Sequence, residues 1–341
     1  MKLSIVIICW NDQKFLPDCL KSVYSEAGLN KFEVIVVDNG SADGSVAYVR
    51  ESFPQVKLVV NRRNLGFGPG NNVGIREAQG DYILILNPDT ILRPRALETW
   101  LAYADEHPEA GAFGCRTLNA DGTFQITTQP TPTVFRYFCK ALCLRWPGRL
   151  FESLQVDSYV GWDGTTDREI GFHAACTLLV RGILLKELGG FDERFLHQFE
   201  DSDLCLRVWK AGYSVRFCPD AEVVHIGGQN RGRYPIRVIL ETERSKYKYF
   251  HKHYGERAAR RIRWISLMAQ SLRFFGCWLR MRLKGRAAAE HEMELHRVLF
   301  NWNWNLDPVR FVMTGEETDV GYAPLITAPK PGPDTVGAKQ A

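Results

Sequence analysis

Three carboxylates crowd into Phe199-Glu200-Asp201-Ser202-Asp203, and His225 follows Asp201 by 24 residues. Like charges at this spacing repel, so Glu200, Asp201 and Asp203 are compatible with two arrangements. One is a solvated acidic turn opening a helix, where acids suit the positive end of the dipole. The other is a site where a cation or a proton-transfer task compensates the repulsion. Asp203 then reduces to a first-turn helix acid. Asp89, in Asn87-Pro88-Asp89, is either part of a β-turn or a ligand for a hard divalent cation. One or two protein ligands suffice for such a cation when a diphosphate supplies the other oxygens. His225 reads as a satisfied core or edge histidine, or as an imidazole ligand suited to Mn²⁺ more than to Ca²⁺.

These groups need a scaffold, and the chain before them alternates. Leu3 to Cys9 is an apolar β-rich run, Gln13 to Ser25 has helical spacing, and Phe32 to Val37 is a β-branched run that ends at Asp38. Ser45 to Glu51 predicts a helix, Lys57 to Val60 a strand, Asn71 to Ala78 a helix, and Tyr82 to Leu86 a strand ending at Asn87. Strand and helix in alternation imply an α/β fold with a mostly parallel sheet, flanked by helices and carrying ligand groups at the carboxyl ends of its strands. Asp38 occupies such an end and can accept from a base N–H or a ribose hydroxyl, whereas Ser41 and Asp43 read as turn and helix-cap residues. The loop NRRNLGFGPGNN, residues 61 to 72, brings glycines close to a ligand at a helix start, without the GxGxxG spacing.

Further along, Ala96 to Glu106 predicts a helix and the pattern then becomes irregular. Val134 to Leu150 reads as an amphipathic or plain surface helix inside an insertion spanning about 123–160. Cys176 to Val180 predicts a strand, Asp203 to Lys210 a helix, and Val215 to Cys218 and Val223 to His225 two short strands. These runs divide the chain into 1–115, 116–230, a helical extension over 231–313 and a disordered Pro- and Gly-rich tail over 314–341.

At 341 residues with 45% hydrophobic content, the chain has ample core for one large or two medium domains. The opening apolar run is too short for a signal peptide or membrane span, so a cytoplasmic protein is expected. Nine cysteines without Cys-x-x-Cys pairing indicate neither a disulfide framework nor a zinc ribbon. The net charge of +4 hides an asymmetry: Arg231 to Arg286 holds 16 Lys and Arg against 3 Asp and Glu, so the remainder carries −9. Arg257 to Arg286 has nine basic and no acidic residues among aromatics and leucines, with Arg273 interrupting the apolar stretch. That pattern fits a helix lying in an anionic membrane surface, at the inner face of the plasma membrane for a cytoplasmic protein, or alternatively a packed helical subdomain with a basic rim. Its apolar bulk exceeds what nucleic-acid binding needs.

The ordered segments SIVIICWND, VVDNGSADGS, NRRNLGFGPGNN, ILILNPDT, LGGFDERFLHQFEDSDLCLRVWKAGY and VVHIGG, spread over residues 3 to 230, resemble family 2 glycosyltransferases of the GT-A fold, in their rhamnosyltransferase-like branch. The resemblance implies inverting sugar transfer from a dTDP- or UDP-linked donor, with dTDP-rhamnose preferred, to a lipid-linked or polysaccharide acceptor. It assigns Asn11, Asp38, Asn64, Gly66, Asn72 and Asn87 to the donor, Asp89 and His225 to Mg²⁺ or Mn²⁺, and Asp201 to the catalytic base with Glu200 its rival. Asn87 stands where the first acid of an Asp-x-Asp is usual. Another hexose or N-acetylhexosamine from UDP is the alternative within the class. A nucleotidyltransferase would need a basic Gly-rich signature after the first strand, and a non-catalytic sugar-nucleotide-binding module would have lost its acids.

Overall fold

The computed structural model describes residues 2–26, 32–142, 158–159, 161–196, 198–227, 236–285 and 289–315. Eleven strands and ten helices run β1 (Leu3–Cys9), α1 (Leu16–Tyr24), β2 (Phe32–Asp38), α2 (Ser45–Ser52), β3 (Lys57–Val60), α3 (Phe67–Glu77), β4 (Tyr82–Leu86), β5 (Thr90–Leu92), α4 (Ala96–Glu106), β6 (Ala110–Leu118), β7 (Thr128–Gln129), α5 (Val134–Ala141), β8 (Arg168–Glu169), β9 (Phe172–His173), β10 (Thr177–Arg181), α6 (Gly182–Glu187), α7 (Glu200–Lys210), β11 (Ser214–His225), α8 (Ile236–Lys284), α9 (Glu290–Asn305) and α10 (Pro308–Thr314), counted among the described residues.

The main sheet has the order β3-β2-β1-β4-β10-β6-β11-β5, with β8 also on β11. The first four strands pair in parallel, as their alternation with helices requires. Beyond β4 the sheet is mixed: β10 runs antiparallel to both β4 and β6, while β6 and β11 are parallel. Both faces are covered. One core lies around Ile5, Ile7, Leu16, Leu84 and Trp100, the other around Val6, Ile83, Leu178, Leu204 and Phe217. Strands buried on both sides explain the unbroken apolar runs of β1 and β4.

Several boundaries differ from those the sequence predicts. Helix α3 begins at Phe67 rather than Asn71, because Pro69 falls within the first turn, where its missing N–H costs no hydrogen bond. Strand β6, AGAFGCRTL, is rich in small residues and carries little β signal, yet it is central and buried. The two short strands expected near 215–225 are one strand, β11, whose register against β6 shifts between Cys218 and Glu222. Of the expected helix from Val134 to Leu150, the structure has α5 to Ala141; residues 143–157 and the tail from 316 lie outside the described residues.

The C-terminal helices form a third core. Tyr247, Phe250, Ile262, Trp302 and Phe311 from α8, α9 and α10 pack with Phe195 beside the sheet domain. Helix α8 is broken at Gly255, whose φ of 80° and ψ of 178° lie outside helical space. Past that break it is two-faced: Ala259, Ile262, Leu267 and Cys277 are buried, while Trp264, Leu272, Phe275, Trp278, Leu279 and Leu283 are exposed. No helix among the described residues is long and apolar enough to cross a membrane.

Candidate active site

The acidic run sits at the start of α7, and the backbone bends sharply to put it there. Gln198 and Phe199 both take left-handed φ, 59° and 70°, costing about 1–3 kcal/mol each for non-glycine residues. Packing of the Phe199 ring against Tyr249 and Phe250 of α8 holds the bend, with ring centroids 5.2 and 6.5 Å apart. Asp201 then faces a cavity of about 620 Å³ that it shares with Ser202, Gln198 and His225. Its Oδ1 accepts from the Ser202 amide at 2.7 Å. Glu200, its neighbour, has a buried Oε2 without a hydrogen-bond partner among the described residues. Burial pushes both carboxyls above the ordinary carboxylate range, and the charge of Asp201 adds to the rise at Glu200.

Asp203 is not the solvated first-turn acid expected from the sequence. It is wholly buried, and Arg207 Nε donates to its Oδ2 at 2.8 Å while Lys252 and His253 of α8 donate to Oδ1. Burial alone would raise this carboxyl, but His253, Arg207 and Lys252 together hold it below its ordinary range. The acid therefore ties α7 to α8.

Strand pairing joins the expected cation ligands. β5 runs antiparallel to β11 with Thr90 opposite His225, and the Ile226 amide donates to Asp89 O at 2.9 Å. His225 Nε2 consequently lies 3.4 Å from Asp89 Oδ1. On the other side of the ring, Nδ1 lies 2.7 Å from Gln125 Oε1, whose amide nitrogen donates to Asn119 at 2.9 Å. That partner makes Nδ1 the donor and leaves the Nε2 lone pair toward the carboxylate. Asp89 Oδ1 is itself buried without a hydrogen-bond partner among the described residues. Two acceptors facing each other, one of them orphaned, suit a divalent cation between or beside them. Gly227 leaves the room, since a Cβ there would come within 2.0 Å of Asp89 Oδ2 and 2.9 Å of His225 Nε2. The donor set fits Mg²⁺ or Mn²⁺ completed by phosphate oxygens. Among the described residues no three metal-ligating side chains cluster, so the protein alone supplies a partial shell.

At the carboxyl ends of β1 and β2, Asp38 does two things. Its Oδ2 accepts from the Gly40 and Ser41 amides at 3.1 and 3.0 Å, a turn contact, while buried Oδ1 has no partner among the described residues. Asn11, at a φ of 57°, accepts from the Ala42 amide at 2.8 Å and so binds the end of β1 to this loop. Ser41 and Asp43 take turn roles, Ser41 Oγ accepting from the Asn11 amide and Asp43 from Gln13 and Ser45, while the cap position of α2 falls to Gly44 rather than to either of them.

The glycine-rich loop is organised by a residue the sequence did not single out. Asn39, buried beside Asp38, donates to Asn64 Oδ1 at 2.9 Å and to Gly66 O at 3.1 Å, and accepts from Asn61 Nδ2 and the Leu65 amide. Gly66 follows with a φ of 94°, a conformation that favours glycine and starts α3. Asn72 departs from the expected donor contact. Its amide nitrogen donates to Phe191 O at 2.8 Å and Glu193 at 3.0 Å, and its oxygen accepts from the Phe191 amide at 2.8 Å. Pairing with the Gly190–Phe191 turn saturates that side chain. At Asn87 the backbone is fixed on both sides, the amide donating to Cys176 O at 2.9 Å and the carbonyl accepting from Thr90 Oγ1 at 2.6 Å.

The chain has relatives in sequence and in fold. Residues 4–157 match the model of glycosyl transferase family 2. The chain is 28% identical over 283 residues to the N-acetylglucosaminyl-diphospho-decaprenol L-rhamnosyltransferase of Mycobacterium tuberculosis, covering 80% of this chain and 91% of that protein. It is 25% identical over 193 residues to the rhamnosyltransferase WbbL of Escherichia coli K12, covering 54% of this chain and 69% of the relative. The fold resembles that of the mannosyltransferase PcManGT from Pyrobaculum calidifontis, solved with GDP-Man and Mn²⁺, at a TM-score of 0.50 and 16% identity over 93% of this chain and 88% of that one. The family match spans the strands that carry Asp38 and Asp89, and the rhamnosyltransferase alignments extend the likeness beyond it, so the chain is similar to family 2 glycosyltransferases, and among them to rhamnosyltransferases.

Proposed function

We propose that the chain transfers L-rhamnose from dTDP-rhamnose, with inversion at the anomeric carbon, to a lipid-linked acceptor in bacterial cell-surface glycan synthesis. The observation that carries this reading is the shared cavity of Asp201 and His225, with Asp89 beside the imidazole. The choice of sugar and acceptor rests on the relative whose name gives a rhamnosyl transfer to a diphospho-decaprenol-linked sugar.

Asp201 takes the proton of the accepting hydroxyl as that oxygen attacks the anomeric carbon. The bond from that carbon to the donor diphosphate breaks, and its electron pair leaves with the diphosphate. A carboxylate raised toward neutrality by burial is a stronger base than a solvated one. Asp201 is the better candidate than Glu200, because it lines the cavity and Glu200 does not. Asp89 and His225 would hold the Mg²⁺ or Mn²⁺ that, when bound, offsets charge on the leaving diphosphate. Asp38 Oδ1 is suited to accept from the pyrimidine base, and Asn11, Asn64, Gly66 and Asn87 shape the donor pocket around it. Asn72 acts by fixing the turn at Phe191.

Localisation follows from α8. Its exposed aromatic and leucine face, rimmed by arginines, suits peripheral binding to an anionic membrane on the cytoplasmic side, where a lipid-linked acceptor is presented. The test is a screen of purified nucleotide sugars with and without Mn²⁺, using the wild type and Asp201→Asn. Metal-dependent turnover of dTDP-rhamnose, lost in Asp201→Asn while nucleotide binding persists, supports the reading. Near-normal turnover in that variant removes Asp201 from its role.

A further inference from the structure

The cavity that holds Asp201 has a second wall of opposite character. Ser202, Asp201 and His225 line it from α7 and β11, and Arg136 and Lys140 of α5 and Lys246 and Arg273 of α8 line it as well. Lys246 belongs to its own helix: Glu243 holds its ammonium, which also donates to Ser266 Oγ at 2.9 Å and to the Tyr137 hydroxyl at 3.0 Å. Beside the Glu243–Lys246 pair, the lining contributed by α5 and α8 carries Arg136, Lys140 and Arg273. Two of its cations, Lys140 and Arg273, are exposed.

That lining shares the cavity with the proposed base, and α8 carries exposed apolar residues beyond it. Past Arg273, helix α8 presents Phe275, Trp278, Leu279 and Leu283 to solvent. At 1.5 Å per residue the ten residues from Arg273 to Leu283 cover about 15 Å. The carboxylate, the cations and the exposed hydrocarbon thus match in kind the three parts of a lipid-diphosphate-linked sugar: an accepting hydroxyl, a diphosphate and a lipid. Arginine forks and a lysine ammonium are the groups that bind a diphosphate most strongly.

We propose that Arg136, Lys140 and Arg273 form the subsite for the diphosphate of a lipid-diphosphate-linked sugar acceptor, with the sugar hydroxyl at Asp201 and the lipid leaving along α8. This rests on the glycosyl-transfer reading above. It adds where the acceptor's charge is held.

The test uses the full chain and two acceptors carrying the same sugar, one a lipid diphosphate and the other an alkyl glycoside without phosphate. Each charged hydrogen bond removed by Arg273→Gln, or by Arg273→Gln with Lys140→Gln, should raise KM for the diphosphate acceptor about tenfold or more. The preference for the diphosphate acceptor, as a ratio of kcat/KM values, should fall in step. An equal loss on both acceptors overturns the subsite and makes the wall structural. A rise confined to the donor KM overturns it in favour of the donor's diphosphate. Wild-type protein that uses both acceptors equally overturns the subsite alone, and wild-type protein that glycosylates neither overturns the parent reading.

Discussion

His253 Nε2 lies 2.7 Å from Asp203 Oδ1, and Lys210 Nζ lies 2.9 Å from the other ring nitrogen. Lysine can only donate, so Nδ1 accepts and Nε2 carries the hydrogen given to Asp203. A histidine of the C-terminal helices is in this way bonded to an acid two residues from the proposed base. The position of Asp201 depends on α8 as much as on the sheet.

Asp203→Asn should therefore be among the costliest substitutions in the chain. Removing a buried charge leaves Arg207 without its carboxylate and Lys252 with Asp192 alone, a loss of about 3–5 kcal/mol. Urea unfolding measures it. A change below about 1 kcal/mol would mean that the buried network contributes little.

Glu200→Gln probes the pair at the start of α7. Burial raises both carboxyls, so between their ordinary range and the raised one the native state holds more protons than the unfolded chain. Their contribution to stability is thus greatest at low pH and is lost as pH rises through the raised range. The charge of Asp201 raises Glu200, so Asp201 loses its proton while Glu200 keeps its own, and the acid limb of the kcat/KM profile should stay in place in Glu200→Gln. Stability should depend less on pH above the ordinary carboxylate range. An acid limb that moves down would show that Glu200 is ionised when Asp201 titrates.

Much of this site was legible because its residues stand at the ends of strands. β1, β2 and β4 are continuous apolar runs, and the polar residues that stop them, Asn11, Asp38 and Asn87 to Asp89, fall at one edge of a parallel sheet. What escaped depends on pairing between distant segments. Nothing near Asp203 announces Lys252 and His253, which are 49 and 50 residues away. Asn72 sits in a motif that suggests a ligand, but its amide is used by Phe191, 119 residues on. Asn39 is adjacent to a more conspicuous acid, and its role emerges only when the loop from Asn61 to Gly66 folds over it. The basic stretch of α8 offered two readings because its faces differ, one packed on α9 and α10 and one open.

The open face gives a separable test of membrane binding. Deleting Arg257 to Arg286 would remove Ile262 from the third core, so its effect on vesicles would be confounded with unfolding. Phe275 and Leu279 are 59% and 44% exposed, so charged replacements there should leave stability nearly unchanged. Phe275→Glu with Leu279→Glu should reduce co-sedimentation with vesicles rich in anionic lipid by about tenfold or more, through lost burial and added repulsion. Equal binding by the variant and the wild type would show that α8 does not seat the protein on lipid.

Gly227 provides the sharpest test of the proposed cation pair because it contributes no ligand atom. Its φ is outside the left-handed region, so an alanine backbone is tolerated and only the added methyl matters. That methyl would overlap Asp89 Oδ2 at 2.0 Å and crowd His225 Nε2 at 2.9 Å, driving the two side chains apart. Gly227→Ala should keep the sheet, since Thr90 and His225 pair through their backbones, and should leave the network around Asn39 undisturbed. Displacement of ligands by an ångström or so is expected to weaken metal binding about 10–100-fold, comparable to loss of an outer-shell partner. Direct Mn²⁺ titration, followed in parallel with nucleotide binding without metal, distinguishes the outcomes. Weaker Mn²⁺ binding with metal-free nucleotide binding retained is the expected result; full Mn²⁺ affinity in Gly227→Ala would exclude Asp89 and His225 as the ligands.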